Sequence, residues 1–190
     1  MVKVAFICED DAGKKIVDSE DFEQILQQND VELLHPVYNA KGKGNLTEEN
    51  VRGLVDTASD AGADIIFLLT DMDLDSCITF TKQNLIQDPI CKIIVCKKAV
   101  EAWFIADTGA ISALLNRNGY FEYPEELLNP FDTINQMHKE SFNGRGISKA
   151  ILPIKMIGNG FSLINAANHP NCSSALYFLQ KIQTLSDILH

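Results

Sequence analysis

Long apolar runs are missing from this chain of 190 residues. No uninterrupted hydrophobic stretch approaches the roughly 18 residues that a transmembrane helix needs. The apolar start is also short, because acidic residues follow Cys8 directly, and this is not typical of a secretory signal. The sequence therefore predicts a soluble, cytoplasmic protein that has no membrane partner.

Cysteine and histidine are too few and too scattered to form a recognisable site. The five cysteines are odd in number and lack paired spacing, which favours a reducing compartment over a disulfide framework. The four histidines suggest neither a zinc site nor the catalytic triad of a hydrolase.

Positive charge is also scarce, since the chain has 16 Lys and Arg residues but 26 Asp and Glu residues, which gives a net charge of −10. This balance argues against strong general binding to nucleic acid, which depends on neutralising phosphates. It does not exclude an enzyme that acts on nucleic acid. Small basic clusters at 41–43, 97–98 and 139–155 fit a phosphate substrate bridged by metal to an acidic centre. Solvated faces with chance clustering explain each cluster as well.

What the chain does contain is alternation between two hydrophobic periodicities, on a composition that is 46% hydrophobic and suits one compact domain. Strands are predicted at 2–8, 31–37, 64–70 and 92–96, and helices at 14–28, 47–61 and 77–87. This order predicts an α/β fold with a mostly parallel four-stranded sheet flanked by helices. Further helices are predicted at 131–142, 147–157 (bent or interrupted at Pro153), 161–167 and 173–189. We expect an α/β core over 1–107 and a helical C-terminal extension over 108–190, packed together as one unit.

The most informative segment is 63–75, a β-favouring apolar run that stops abruptly at Asp71, Asp73 and Asp75. Side chains two residues apart in an extended chain point the same way, so these carboxylates are expected to crowd one small volume. Two unit charges about 4 Å apart repel by roughly 1 to 4 kcal/mol. Hard divalent cations such as Mg²⁺ take oxygen ligands of this kind, so the triplet indicates a metal site. A solvated acidic turn with a helix-capping role is the competing interpretation.

Glu9 follows the first predicted strand as Asp71 follows the third. In parallel sheets, ligand sites form beyond the carboxyl ends of the strands, where the strand order switches. If the first and third strands are neighbours, Glu9 is expected to meet the acids at 71–75.

Three segments together carry a family resemblance: Phe6-Ile-Cys-Glu9, Asp71-Met-Asp73 and Glu101-Ala-Trp-Phe-Ile-Ala-Asp107. In these the chain resembles a family of small bacterial proteins with a toprim-like, Rossmann-like core. That family is akin to the RloB proteins found among restriction and defence genes and to the overcoming-lysogenisation nucleases. A lysine at Lys149 and the run at 172–179 fit the same pattern. The resemblance covers most of the chain, and one departure is Asp10, which stands where such proteins usually have Gly.

The resemblance implies hydrolysis of a phosphodiester with Mg²⁺ or Mn²⁺ as cofactor and nucleic acid or a nucleotide phosphate as substrate. It also allows for a partner protein such as an ATPase. It implies a catalytic set of Glu9, Asp71, Asp73, Glu101 and Lys149, and metal ligands at Glu9, Asp71, Asp73 and Asp75. In this scheme Glu9 is a general base or acid, or ligates a second ion. Glu101 completes the acidic set, and Lys149 offsets charge on the phosphate.

Simpler roles remain open for the last two residues. Glu101 has the helical spacing to pair with Lys97 or Lys98. Lys149 fits a solvated surface lysine equally well.

Other functions fit parts of the pattern. A receiver-like phospho-acceptor domain would use the acids at 9–11 and an acceptor at Asp71, but Cys96 stands where it needs a hydroxyl residue. A haloacid-dehalogenase phosphatase also uses Asp-x-Asp, although normally at the end of the first strand. A catalytically inactive toprim-like module that serves for binding is the third alternative, because Asp10 replaces the usual Gly.

Overall fold

A mostly parallel sheet of five strands is the framework of the N-terminal half of the protein. In the computed structural model, which describes residues 1–185, the strands are β1 (Val2–Cys8), β2 (Val31–Leu33), β3 (Tyr38–Asn39), β4 (Ile65–Asp71) and β5 (Cys91–Cys96). The sheet order is β2-β1-β4-β5, and the two-residue β3 also pairs with β1. The α/β class and the mostly parallel sheet predicted from the sequence are confirmed, with five strands instead of four.

Helices account for most of the remaining described residues. They are α1 (Asp11–Val17), α2 (Glu20–Gln28), α3 (Glu48–Asp60), α4 (Ile78–Gln83), α5 (Glu101–Ala106), α6 (Thr108–Leu115), α7 (Pro130–Ser141), α8 (Leu152–Gly158), α9 (Leu163–Ala167) and α10 (Ser173–Gln183). Short 3₁₀ turns occur at Lys43–Asn45 and Pro124–Glu126. Within residues 1–185, every helix falls short of the length and apolar character required to cross a bilayer.

The chain divides into two units. The first contains Met1–Val95 together with the chain from Gln180 onward, and the second contains Cys96–Leu179. The sheet and the acids predicted at 9 and 71–75 belong to the first unit. Glu101 and Lys149 belong to the second.

Strands β1 and β4 are apolar over most of their length because both faces of the sheet are covered. On one face, Ala5 and Ile7 share a core cluster with Val51 of α3. On the other, the ring of Phe6 packs edge-on against Phe22 of α2, with the centroids 5.5 Å apart. Successive side chains of a strand point to opposite faces, so a strand covered on both sides forms a continuous apolar run in the sequence.

The predicted second strand, residues 31–37, is wrong in its extent. Strand β2 pairs with β1, the pairing is interrupted after β2, and it resumes at β3. Pro36 lies in the gap, and a proline has no N–H to donate to a strand ladder.

The helix predicted at 14–28 is in fact two helices, α1 and α2. The break comes at Ser19, whose hydroxyl accepts a hydrogen bond from the Phe22 N–H at 3.3 Å and so caps the start of α2. Serine is favoured at such N-cap positions because it satisfies an otherwise unpaired amide. Hydrophobic spacing alone carried no sign of this break.

Three other predicted helices are too long. The helix expected at 147–157 begins only at Leu152, and Pro153 lies in its first turn instead of interrupting it. Proline is tolerated in that turn because the first amides of a helix have no intrahelical acceptor. The helix expected at 77–87 is the shorter α4, and the one expected at 173–189 ends at Gln183, with residues 186–190 outside the described part of the chain.

Candidate functional site

The sheet brings the exits of β1 and β4 together. The two strands are parallel neighbours, with Cys8 paired to Leu69, and the Glu9 N–H continues the ladder by donating to the Leu69 carbonyl at 2.8 Å. Strands β2 and β3 lie on one side of β1 in the sheet, and strands β4 and β5 lie on the other side. The strand order therefore switches between β1 and β4, at the place where parallel sheets form ligand sites.

Glu9 lies directly against the end of β4. Its Oε2 accepts a hydrogen bond from the Thr70 hydroxyl at 2.5 Å and another from the Asp71 backbone N–H at 2.9 Å. Both bonds fall on the same oxygen, so Oε1 is the oxygen that Glu9 can offer to a ligand or to water. The expectation that Glu9 meets the strand exit at Asp71 agrees with this geometry.

The acids beyond Asp71 are arranged by a turn instead of an extended chain. Strand β4 ends at Asp71, the Asp75 N–H donates to the Met72 carbonyl at 3.1 Å, and Asp73 has φ of 53°. The left-handed region suits aspartate better than most residues. The rule that residues two apart share a side therefore fails after Asp71, and tertiary contacts hold Asp73 and Asp75 in place.

Those contacts come from Lys43, in the loop after β3. Its ammonium lies 2.9 Å from Asp75 Oδ2 and 3.4 Å from Asp73 Oδ2, and donates to the Met72 carbonyl at 2.9 Å. The Thr81 hydroxyl also donates to Asp75 Oδ2, at 2.8 Å. An internal cation therefore already lies against two of the three acids.

The charges in this cluster stabilise one another. Partial burial lowers the pKa of Lys43, but its hydrogen bond to Asp75 and the charges of Asp73 and Asp75 outweigh that effect and leave the pKa above its ordinary value. The hydrogen bonds from Lys43 and then from Thr81 hold the pKa of Asp75 below its ordinary value. Lysine and aspartate therefore both carry their charges at neutral pH.

Asp10 has a local role. Its Oδ1 accepts from the N–H groups of Ala12 and Gly13 at 2.9 and 3.0 Å, and this caps the start of α1. An aspartate at this position is explained by helix capping.

The described residues contain no ready-made metal cage: within 1–185, no three His, Cys, Asp or Glu side chains are grouped so that they could hold an ion. At the switch point, Glu9 lies beside the end of β4, and the carboxylates of Asp71 and Asp73 belong to the end of that strand and the turn after it. Asp75 shares its Oδ2 between Lys43 and Thr81. Magnesium in proteins is often bound by one or two carboxylates and completed by water and substrate phosphate, so a pair of acids is compatible with it.

The other two predicted site residues lie in the second unit. Glu101 is the first residue of α5 and only 3% exposed. Lys149 is exposed in the turn before α8, and its ammonium lies 5.5 Å from the centre of the Phe131 ring, a cation–π distance. Trp103, also in α5, is fully buried and stacks on Phe178.

A buried polar network in the second unit was not found from the sequence. Glu125, 2% exposed, accepts hydrogen bonds from the backbone N–H and hydroxyl groups of both Ser173 and Ser174 at 2.5 to 3.0 Å. The Ser174 hydroxyl in turn accepts from the Trp103 indole N–H at 2.7 Å. The Ser-Ser pair before an apolar helical run was a capping signal, but nothing local indicated a partner almost fifty residues away.

Comparison with known protein families, with curated proteins and with solved structures finds no match to this chain. The resemblance to a toprim-like family thus stays a prediction that rests on the three segments quoted above. Function depends on the chemistry of the site and does not follow from the fold alone.

Proposed function

We propose that this chain is a metal-dependent phosphodiesterase with a toprim-like core, which hydrolyses nucleic acid or a nucleotide phosphate in the cytoplasm. The observation that carries the proposal is the meeting of Glu9 and Asp71 at the strand-order switch between β1 and β4. The five cysteines, all free, support a reducing compartment.

The donors at this point suit a hard divalent cation. Carboxylate oxygens of Asp71 and Asp73 would hold Mg²⁺ or Mn²⁺, with water and substrate phosphate completing the shell. Bound there, the ion would supply activated water and offset negative charge on the phosphate. The net charge of −10 makes such an ion useful, because the phosphate would otherwise approach an acidic protein.

Glu9 is the residue we assign to proton transfer. The Thr70 hydroxyl and the Asp71 N–H fix Oε2 and hold the carboxylate in one orientation. Oε1 then accepts a proton from the attacking water, which is the role of a general base. Because both hydrogen bonds go to one oxygen, they hold the carboxylate in place and leave its other oxygen able to accept a proton.

The test of activity is a nuclease assay over single- and double-stranded DNA and RNA with Mg²⁺ or Mn²⁺. We expect Glu9→Gln to lower the rate by about 100-fold or more, the size seen when one key catalytic interaction is removed. Asp60→Asn, at an exposed residue of α3, is the matched control and should leave the rate unchanged. Equal rates for wild type and Glu9→Gln would refute the catalytic assignment.

The metal is tested separately by thermal unfolding. At a Mg²⁺ concentration about 100 times its dissociation constant, binding stabilises the fold by about 2.7 kcal/mol. For a protein of this size that raises Tm by about 5 to 10 °C. The double variant Asp71→Ala/Asp73→Ala should show no such rise, whereas equal rises in both proteins would refute the metal site.

These two assays, together with labelling by acetyl phosphate, distinguish the alternatives. Metal binding without hydrolysis of any substrate would identify an inactive binding module. Stable labelling of Asp71 by acetyl phosphate, without phosphodiesterase activity, would identify a receiver-like phospho-acceptor.

A further inference from the structure

Lys43 is held at the candidate site by the backbone of its own loop. The Gly42 N–H donates to the Glu9 carbonyl at 2.8 Å, which ties the loop to the exit of β1. Gly42 has φ of 124°, a conformation that few residues other than glycine adopt. The Asn45 side chain closes the loop by donating to the Ala40 carbonyl at 2.8 Å. The hydrogen bonds of this loop therefore hold Lys43 at the site.

Within residues 1–185, the polar contacts of the Lys43 ammonium are all with residues 72–75, which we call the acidic turn. They are the Met72 carbonyl and Asp75 at 2.9 Å each, and Asp73 at 3.4 Å. The side chain of Lys43 is 24% exposed, whereas exposed lysines usually extend into water. The ammonium thus supplies, from within the chain, the positive charge that a divalent cation would bring to the same carboxylates.

The two aspartates differ in how firmly they hold the ammonium. Asp75 Oδ2 takes the shorter contact with Lys43, is also bonded by Thr81, and belongs to a side chain that is 25% exposed. Asp73 has only the longer contact and its side chain is 52% exposed. A contact at 3.4 Å on an exposed carboxylate is the weaker of the two, because distance and solvent both reduce it.

We propose that Lys43 is a resident counter-ion that competes with the divalent cation for Asp73 and sets the metal affinity of the site. Metal binding requires Asp73 to exchange the ammonium for the cation, while Asp75 and the Met72 carbonyl retain Lys43. Asp75 is then a lysine-binding residue and not a metal ligand. This inference rests on the proposed metal-dependent function.

The experiment is a calorimetric titration of Mn²⁺ into wild type and four variants at neutral pH. Lys43→Met and Lys43→Gln remove the charge, and both should lower the dissociation constant by about tenfold, since a unit charge near 4 Å from a cation opposes its binding. Lys43→Arg keeps the charge and should bind Mn²⁺ within about threefold of wild type. Lys41→Met removes an exposed charge from the same loop and should change little, because solvent screens it.

The set of variants separates charge from structure. Glutamine at 43 can still hydrogen-bond to the Met72 carbonyl, so a loop that needs this bond would remain folded in Lys43→Gln even if Lys43→Met unfolded. Melting in the presence of a chelator verifies that each variant is folded before titration. If weaker or unchanged Mn²⁺ binding is found in both neutral variants while wild type binds Mn²⁺, the Lys43 proposal is overturned and the metal site is kept. Absence of binding in wild type and in all Lys43 variants overturns the metal site itself.

Discussion

Replacing Glu125 by alanine should destabilise the second unit strongly. The carboxylate is 2% exposed and accepts four hydrogen bonds of 2.5 to 3.0 Å, two from Ser173 and two from Ser174. Two of the donors are backbone N–H groups at the start of α10, which have no intrahelical acceptor. Glu125 therefore caps a helix from a distant part of the chain.

The size of the effect follows from the donors left behind. A buried donor that loses its partner costs about 1 to 3 kcal/mol, and alanine leaves two amides in that state. The two hydroxyls can rotate to other acceptors, so we count only the amides and expect about 3 kcal/mol. For a chain of this length that lowers Tm by about 6 to 12 °C.

Thermal and urea unfolding followed by circular dichroism measure this loss, with Glu126→Ala as the matched control. Glu126 is the neighbouring residue but is exposed, so its removal should cost under about 0.5 kcal/mol. The Tm of Glu125→Gln should lie between those of wild type and Glu125→Ala. The glutamine side chain keeps one acceptor oxygen, but its NH₂ group turns a donor toward the second backbone N–H. A Tm for Glu125→Ala within about 2 °C of wild type would show that the capping argument is wrong.

Three further outcomes are expected. Only Cys77 is exposed among the five cysteines, so a thiol reagent should label one site quickly in the native protein, and Cys77→Ser should abolish that fast phase. Gly119→Ala should cost about 1 to 3 kcal/mol in urea unfolding, because its Cβ would lie 2.9 Å from the Ile111 side chain; an unchanged midpoint would contradict the packing. The hydrogen bond from Arg52 lowers the pKa of Asp88, so this carboxylate stabilises the fold above the pKa of an unfolded aspartate, about 3.9, and loses that contribution as pH falls through the lower native value. Asp88→Asn should thus flatten the dependence of Tm on pH below about pH 4, and parallel curves for the two proteins would contradict the pairing.

Much of the sheet could be predicted from the sequence because its strands are covered on both faces. Residues 2–8 and 64–70 are mostly apolar, with Lys3, Asp64 and Thr70 as the exceptions, and the structure has strands within one residue of those bounds. The strand predicted at 31–37 runs past the end of β2 and misses β3, because hydrophobic pattern does not show where a ladder is interrupted. Helix ends were missed for a similar reason: caps such as Ser19 depend on single hydrogen bonds, not on periodicity.

The candidate site was predictable in part. Acids at two strand exits gave Glu9 and Asp71, since parallel neighbouring strands place their carboxyl ends together. The positions of Asp73 and Asp75 were derived from an extended chain that in fact turns after Asp71. Lys43 was visible only as one member of a small basic cluster.

The sequence by itself determined the class of the fold and the two acids that end β1 and β4, because apolar runs and strand exits are local features of the chain. Only the tertiary structure decided that Lys43 lies on the acidic turn and that Glu125 caps α10. These contacts join residues 30 to 49 positions apart. They depend on loop paths and helix packing, which a pattern of neighbouring residues does not encode.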